Sequence, residues 1–219
     1  MLEQNKNNLE YKRFIFNELG VNAFVLYDDT REAVIVDGAA ENEKQSNELL
    51  KFIEEKNLKV KYIISTHGHF DHIYGNSKLL EKFKVPLLMH KDDNIWIENF
   101  QQITARYGMK TDKAPLPTKT IDEGDTIKFG NSELLVFHVP GHSAGSIVLY
   151  AKEINLLISG DTLFEDSIGR TDLEGGDYNT LIKNIKEKIL VLPPNTIVFP
   201  GHGNSTTVEY ESKNNPYLK

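Results

Sequence analysis

A single stretch of seven residues limits what this chain can fold into more than any other feature. Residues 66–72 read T-H-G-H-F-D-H and follow the apolar run V-K-Y-I-I at 60–64. Three imidazoles and a carboxylate placed this closely are costly to bury unless a cation binds them. Zinc and similar metals take neutral imidazole nitrogen and carboxylate oxygen as ligands. The stretch therefore predicts a metal site at the end of a buried strand.

The composition narrows the class of protein. The chain has 219 residues, a formal charge of −7 and no cysteine. An acidic chain lacks the basic footprint of nucleic-acid binding, and without cysteine any metal must be held by histidine and carboxylate. No apolar run approaches the length of a membrane span, and the N-terminal residues lack the apolar core of a signal peptide. We expect a cytoplasmic protein with no nucleic-acid or membrane partner, folded as one domain over residues 1–219.

The hydropathy pattern predicts two strand-rich halves with helices between them. Strands are expected where apolar runs lie between turn residues, at 11–19, 23–27, 33–36, 60–65, 86–89, 126–129, 133–139, 146–150, 156–159 and 196–199. Helical periodicity covers 41–56, 79–83, 91–100 and a segment capped by Asp177. This order fits an α/β protein with two sheets between outer helices, a four-layer αββα sandwich. Residues 101–120 lack a pattern and are predicted to be a flexible surface segment that could act as a lid.

Four of the predicted strands end in a short polar cluster. The clusters follow the strands at 60–65, 133–139, 156–159 and 196–199, and together they contain His67, His69, Asp71, His72, His142, Asp161 and His202. Side chains at the ends of neighbouring strands can converge on one rim, where loops carry function on a rigid scaffold. Seven candidates are too many for one catalytic zinc, which uses three protein ligands. They fit two ions sharing a bridging carboxylate, which suits Asp161 because it stands alone after its strand.

These motifs resemble those of the metallo-β-lactamase superfamily, and within it the glyoxalase II-like hydrolases. Residues 66–72 match the family's T-H-x-H-x-D-H motif, and P-G-H at 140–142, G-D-T-L-F at 160–164 and P-G-H at 200–202 match the later motifs in order. The resemblance implies the αββα fold and two divalent metal ions, most commonly zinc, with iron or manganese as alternatives. It assigns His67, His69 and His142 to one ion, Asp71, His72 and His202 to the other, and Asp161 to the bridge. It also implies that Asp37 supports the ligands from behind.

The resemblance is to a short form of these hydrolases. Longer members carry a C-terminal helical domain with basic and tyrosine residues that hold glutathione, whereas this chain ends soon after His202. Gly169-Arg170 stands where the glutathione-cleaving enzymes have Gly-Lys, and Asp172 replaces a tyrosine. The planar fork of an arginine suits planar anions, so we expect Arg170 to contact a carboxylate of the substrate.

The activity that the resemblance implies is hydrolysis of a small-molecule thioester such as S-lactoylglutathione. Two neighbouring metals can hold a hydroxide between them and polarise a carbonyl, and the expected catalytic residues are Asp71 and Asp161. The same residues are compatible with a mononuclear iron persulfide dioxygenase, in which His67, His142 and Asp161 form a 2-His-1-carboxylate triad. A lactonase and a non-catalytic metal-binding protein are further alternatives. The protein is expected to be a monomer or a homodimer, with His90 and His138 in structural roles.

Overall fold

In the computed structural model, which describes residues 8–219, one six-stranded sheet comes from the first half of the chain. Its strands are β1 (Glu10–Phe16), β2 (Val21–Tyr27), β3 (Glu32–Val36), β4 (Lys59–Ile64), β5 (Leu87–Met89) and β6 (Lys119–Thr120). They lie in sequence order across the sheet. The first three pair antiparallel, and β3 to β6 pair in parallel. The carboxyl ends of the parallel strands therefore meet at one edge.

A second six-stranded sheet and a small hairpin come from the second half. The strands are β7 (Thr126–Phe129), β8 (Ser132–His138), β9 (Ile147–Ala151), β10 (Leu156–Gly160), β11 (Leu163–Phe164), β12 (Ser167–Ile168), β13 (Ile197–Pro200) and β14 (Thr206–Thr207). The sheet has the order β14-β13-β10-β9-β8-β7, and β11 pairs with β12 outside it. Within the sheet, β10 and β13 are parallel and the other neighbours are antiparallel.

Helices cover the outer face of each sheet. They are α1 (Glu43–Glu55), α2 (Phe70–Ile73), α3 (Asn76–Phe83), α4 (Asn94–Glu98), α5 (Phe100–Arg106), α6 (Tyr178–Asn184) and α7 (Val208–Asn214). The predicted cap at Asp177 is confirmed, because its side chain accepts a hydrogen bond of 2.6 Å from Thr180 N at the start of α6. A π-helical turn, Ile185–Ile189, extends α6. Among residues 8–219 no helix is long and apolar enough to cross a membrane.

Three apolar clusters hold the layers together and confirm the αββα sandwich. The central cluster joins the facing sides of the two sheets, for example Phe24 and Leu26 of β2 with Val136 of β8. A second cluster packs α1 and α3 on the first sheet, and a third packs α6 and α7 on the second sheet. Every residue of β2 is buried, which reflects a strand that is covered on both faces.

The expectation of an unpatterned segment over residues 101–120 is wrong at both of its ends. Residues 101–106 belong to α5, and Lys119–Thr120 forms β6 at the edge of the first sheet. Phe100 and Thr104 are buried on the inner face of α5, and the Thr104 hydroxyl donates to Phe100 O at 2.9 Å. A helix of seven residues shows too few turns for periodicity to reveal it, and a two-residue strand has no pattern at all.

Other boundaries also differ from the sequence-based expectation. The strand expected over 11–19 ends at Phe16, because Asn17 takes a left-handed conformation (φ 52°) and begins a turn. The helix expected over 91–100 is divided into a 3-10 turn, Lys91–Asp93, and the helices α4 and α5. The hairpin of β11 and β12 and the helix α7 were not expected. Boundaries and short elements of this kind leave little hydropathy pattern in the sequence.

Candidate metal centre

The structure brings the seven predicted ligands together at one rim of the two sheets. His67 and His69 follow β4, and Asp71 and His72 lie in α2 directly after them. The remaining three come from the second sheet, where His142 follows β8, Asp161 follows β10 and His202 follows β13. Strand ends that are far apart in the sequence thus converge, as the repeated polar clusters predicted.

The seven side chains form overlapping groups of potential ligand atoms. Within each group the atoms lie no more than 4.8 Å apart, and the groups at this rim are His67-His69-His142, His67-His72-Asp161 and Asp71-His72-His202. The carboxylate of Asp161 lies between the first and the last of them. Its oxygens are 3.6 Å from Nε2 of His142, 3.4 Å from Nε2 of His72 and 3.5 Å from Nε2 of His202. The arrangement therefore has two histidine groups with one carboxylate in common.

Hydrogen bonds at the outer ring nitrogens aim the inner nitrogens at the centre. Nδ1 of His142 donates to the carbonyl oxygen of Arg170 at 2.8 Å, and Nδ1 of His202 donates to that of Leu19 at 2.9 Å. Nδ1 of His72 lies 3.0 Å from a carboxylate oxygen of Asp37. Such partners fix the tautomer of a histidine and leave its Nε2 free to bind a metal.

Asp37 lies behind the centre, at the position that the sequence analysis assigned to it. It is fully buried and takes a left-handed backbone conformation (φ 54°). Its carboxylate accepts hydrogen bonds from Thr66 N at 2.7 Å and from Thr66 Oγ1 at 2.8 Å, in addition to its contact with His72. The carboxylate of Asp37 thus holds in place both Thr66, which directly precedes the histidines, and the ring of His72.

Burial and the carboxylates divide the histidines into two electrostatic classes. Burial lowers the pKa of His67 far below its usual value and lowers that of His69 to about 3, so both rings are neutral. Burial also opposes the charged form of His72, but Asp161, Asp71 and Asp37 hold its pKa well above the usual value. Against the same effect of burial, hydrogen bonds to Asp161 and Asp71 raise the pKa of His202 to about 10. Burial opposes the charged form of Asp161, but His72 and His202 keep its pKa well below the usual value.

The buried polar atoms of these residues indicate that the centre fits a pair of metal ions. Nε2 of His67, Nε2 of His69 and Oδ1 of Asp161 are buried without a hydrogen-bond partner in the described structure. Nε2 of His142 lies 2.9 Å from Nδ1 of His69, and Nε2 of His72 lies 3.2 Å from Nε2 of His202. Buried polar groups are normally paired, and cations between the converging nitrogens would satisfy Nε2 of His67 and Oδ1 of Asp161, with His69 facing the centre through Nδ1. The donors are nitrogen and carboxylate oxygen, a set that suits zinc, iron or manganese.

Comparison with protein families decides where this centre belongs. The family model described as "Metallo-beta-lactamase superfamily" matches residues 16–202, which include all seven predicted ligands. The chain belongs to the metallo-β-lactamase superfamily. The chain therefore shares its fold with this superfamily, and it is a metallo-hydrolase of the superfamily.

Two curated relatives span almost the same length as this chain. The probable metallo-hydrolase YqgX of Bacillus subtilis is 35% identical over 211 residues, which are 96% of this chain and 98% of the relative. The hydroxyacylglutathione hydrolase GloC of Haemophilus influenzae is 35% identical over 199 residues, 90% of this chain and 92% of the relative. The chain is thus similar to relatives of its own size.

Solved structures agree with this placement. The BLEG-1 B3 metallo-β-lactamase superposes with a TM-score of 0.88 at 35% identity and covers 96% of this chain and 100% of its own. TTHA1623 in a di-iron-bound form superposes with a TM-score of 0.85 at 34% identity, covering 94% and 100%. Both neighbours thus share the fold of this chain over nearly its whole length.

A cavity of about 900 Å³ opens beside the metal centre of this superfamily member. His69, His142, Asp161 and His202 lie on one side of it. The lining from α4 and α5 and the residues beside them is mixed: Ile95, Trp96, Ile103 and Tyr107 are apolar or aromatic, and Asn99, Gln102 and Arg106 are polar. The Trp96 ring meets the His69 ring edge to face at 4.4 Å. The arrangement can hold a substrate with an apolar part next to a reacting group at the metals.

Arg170 lies on the wall of the same cavity, but its side chain has a partner within the chain. Nε and Nη2 donate to the two carboxylate oxygens of Asp172 at 2.7 and 2.8 Å, and the arginine side chain is 60% exposed. Only its backbone carbonyl touches a ligand, His142. The expected contact between Arg170 and a substrate carboxylate stays a prediction.

Several residues around the centre were missed by the sequence analysis. Trp96, the only tryptophan of the chain, contacts His69 and could have been singled out on that ground. Asp93 accepts hydrogen bonds from the loop that contains Gly68 and from the loop that contains Ser143 and Gly145. The sequence offers no signal for these contacts. His90 and His138 lie outside the centre, where their rings stack at 3.9 Å. Nε2 of His90 lies 3.2 Å from Asp122, so these rings already have partners.

Proposed function

We propose that this chain hydrolyses small-molecule thioesters of the S-lactoylglutathione type at a centre of two divalent metal ions. The observation that carries the proposal is the position of Asp161 between two histidine groups, next to an open cavity. A shared carboxylate is what a pair of ions needs, and two metals promote attack of water on a carbonyl. The similarity to the hydroxyacylglutathione hydrolase GloC supports a thioester as the substrate class.

We propose that the candidate ligands divide as the resemblance implies. His67, His69 and His142 would hold one ion, and Asp71, His72 and His202 would hold the other, with Asp161 in common. When bound, such ions lower the pKa of a water molecule to about 7 and polarise a carbonyl oxygen. We propose zinc, iron or manganese in these places, since the donor set suits each of them.

The residues of the chain would orient the reactants, and the leaving sulfur would take up a proton of the attacking water. Water adds its oxygen to the carbonyl carbon, the carbon–sulfur bond breaks, and the products are a carboxylic acid and a thiol. The side chains of Asp71 and Asp161 are 11% and 14% exposed towards the cavity, so their oxygens can accept a hydrogen bond from the attacking water. Trp96 and the other apolar side chains of the cavity would exclude water from the rest of the substrate.

The experiment that tests the proposal is a substrate panel on purified protein loaded in turn with zinc, manganese and iron(II). We expect release of thiol from S-lactoylglutathione and from simpler acyl thioesters, with two ions per chain. The panel includes a lactone, a chromogenic β-lactam and glutathione persulfide. One tightly bound iron with oxygen uptake on the persulfide would contradict the proposal, and so would turnover confined to the lactone or the β-lactam. No turnover of any compound by fully loaded protein would favour a non-catalytic metal-binding protein.

A prediction for Arg170 follows from its pairing with Asp172. If the guanidinium contacts a carboxylate of the substrate, R170A should raise KM for S-lactoylglutathione about 3- to 10-fold and leave kcat nearly unchanged. The effect is modest because an exposed ion pair is weakened by solvent. The variant keeps the backbone carbonyl that orients His142, so the metal centre stays intact. Steady-state kinetics with two-metal protein measure both constants.

D172N is the matched control for this prediction. It releases the guanidinium of Arg170 from its partner, so KM should stay the same or fall. R170K, which keeps the charge but loses the planar fork, should lie between R170A and the wild type. An equal rise of KM in R170A and D172N would show that the pair only holds the loop in place.

A further inference from the structure

Asp93 is a buried carboxylate that the metal centre as described does not use. It ends the 3-10 turn Lys91–Asp93 and is fully buried. One oxygen accepts hydrogen bonds from Gly68 N and from Ser143 Oγ, each at 2.7 Å. The other oxygen accepts from Gly145 N at 2.6 Å. All three bonds are short, and no ligand residue is among the donors.

The three donors lie on the two loops that carry the first ligand group. Gly68 stands between His67 and His69, and Ser143 directly follows His142. Nε2 of His142 and Nδ1 of His69 lie 2.9 Å apart. Asp93 is thus bonded to both loops at the point where their two ring nitrogens converge.

The backbone packs against Asp93 too closely for any side chain to intervene. A Cβ atom at Gly68 would lie 2.8 Å from the carbonyl oxygen of Asp93, and one at Gly145 would lie 2.7 Å from its Cγ. Real Cβ atoms essentially never come this close, so both glycines allow the loops to reach the carboxylate. The contact is therefore fixed by shape as well as by hydrogen bonds.

Neighbouring residues hold the turn of Asp93 in place. The ring of His90, just before the turn, stacks on the ring of His138 at 3.9 Å, and Nε2 of His138 donates to Ala144 O at 2.8 Å. One turn further along the chain, Trp96 meets the ring of His69. The segment from His90 to Trp96 therefore contacts both ligand loops at several points.

We propose that Asp93 is a positioning residue that sets the distance between His69 and His142 and thereby the affinity for the ion in the His67-His69-His142 group. This inference rests on the metal centre of the proposed function. Asp93 bonds to the loops rather than to a ligand, and it touches neither substrate nor metal. Outer partners of metal ligands typically contribute about 10- to 100-fold in metal affinity.

The test compares metal affinity in D93N, S143A and a control variant. An asparagine has one carbonyl oxygen and one amide group, so at least one of the three donors would face an NH₂. S143A removes one hydrogen bond to Asp93, together with the bond between Ser143 Oγ and Ser146 Oγ, and keeps both backbone bonds to Asp93. We measure the dissociation constants for zinc and manganese by competition with a chelating dye, in the absence of substrate. D93N should weaken one ion about 10- to 100-fold and leave the other within about 3-fold, and S143A should weaken the same ion by a smaller factor.

Asp28 provides the matched control, because it is a buried carboxylate with a similar set of donors far from the centre. It accepts from Asn131 N at 2.6 Å, from Thr30 N at 2.9 Å and from Ser132 Oγ at 3.1 Å. D28N should lower Tm as D93N does, but both ions should keep the wild-type affinity. Excess metal should restore kcat in D93N, and this rescue separates positioning from general instability.

Failure of the role proposed for Asp93 can be distinguished from failure of the proposed function. Wild-type affinity for both ions in a folded D93N would overturn the role of Asp93, and so would an equal loss in D28N. If D93N does not fold, unchanged affinity in S143A would overturn it as well. If the affinity falls as expected but no thioester is cleaved, the proposed function fails and the role of Asp93 stands.

Discussion

Replacing Asp161 by asparagine should lower the rate of thioester hydrolysis at least about 100-fold and reduce the bound metal from two ions to one or none. Asn keeps the size of the side chain but removes the charge that balances the histidines around it. The carboxylate of Asp161 is within 3.6 Å of Nε2 of His72, His142 and His202, so loss of its charge affects both groups of candidate ligands at once. Loss of an outer partner alone costs about 10- to 100-fold, and a shared ligand should cost more.

The size match matters for this experiment. A Cβ at Gly201 would collide with Oδ1 of Asp161, so the carboxylate packs directly against the backbone of Gly201 and a substitution of the same size is needed. Metal content by elemental analysis and initial rates of thiol release measure the two effects. E211Q is the control, because Glu211 is a fully buried carboxylate bonded to Thr206 and Asn215 outside the centre. Two bound ions and near-normal rates in D161N would refute the shared position of Asp161.

Removing the metals with a chelator should abolish hydrolysis and lower Tm by roughly 10–20 °C. An ion present at 100 times its dissociation constant stabilises the folded state by about 2.7 kcal/mol, so two ions contribute about 5.4 kcal/mol. In a chain of this size each kcal/mol corresponds to roughly 2–4 °C. Without ions the converging nitrogens of His69 and His142 and the unpaired atoms of His67 and Asp161 remain buried. Thermal denaturation with and without chelator, followed by re-addition of zinc, manganese or iron, measures the effect.

The stability of the metal-free protein should fall on both sides of neutral pH. His67 and His69 have lowered pKa values when folded, so their contribution is present above about pH 6.5 and is lost as the pH falls towards the folded value, which is about 3 for His69. His72 and His202 have raised pKa values, so their contribution is present below about pH 6.5 and is lost as the pH rises, for His202 through about 10. Unfolding at pH 5, 7 and 9 tests these signs.

The same shifts predict how metal binding depends on pH. An ion in the Asp71-His72-His202 group must replace the protons that the carboxylates hold on His72 and His202. Its apparent affinity should therefore rise with pH, and binding should release protons. Calorimetric titration in buffers with different heats of ionisation counts them. Affinity that is independent of pH between 6 and 9, with no release of protons, would contradict the assignment of that group.

The fold was largely predictable because its layers follow from local patterns. Apolar runs between turn residues identified most strands of the two sheets, and Asp177 marked the start of α6. The α5 helix and the β6 strand escaped the same reasoning. Their positions depend on contacts such as Phe100 with its apolar neighbours and the pairing of Met89 with Thr120, which lie across the fold. Short elements that are stabilised by tertiary contacts carry little signal of their own.

The convergence of the candidate ligands was predictable for a different reason. His67, His142, Asp161 and His202 each follow an apolar strand, and the ends of neighbouring strands meet in space whatever the loops between them do. The residue types and their positions directly after strands are therefore enough to predict that a metal centre forms there. The absence of cysteine from the sequence adds that only nitrogen and oxygen donors are available.

By itself the sequence indicated the residue types that meet at the metal centre and the αββα sandwich that carries them. Only the tertiary structure decided how these atoms face one another: that Asp161 lies between the histidine groups, that Arg170 is paired with Asp172, and that Asp93 joins two loops. Asp93 is 25 residues from Gly68 and 52 from Gly145, and it is one of 32 acidic residues. Hydrogen bonds between such distant residues form only when the sheets pack together, and no local pattern of the chain encodes them.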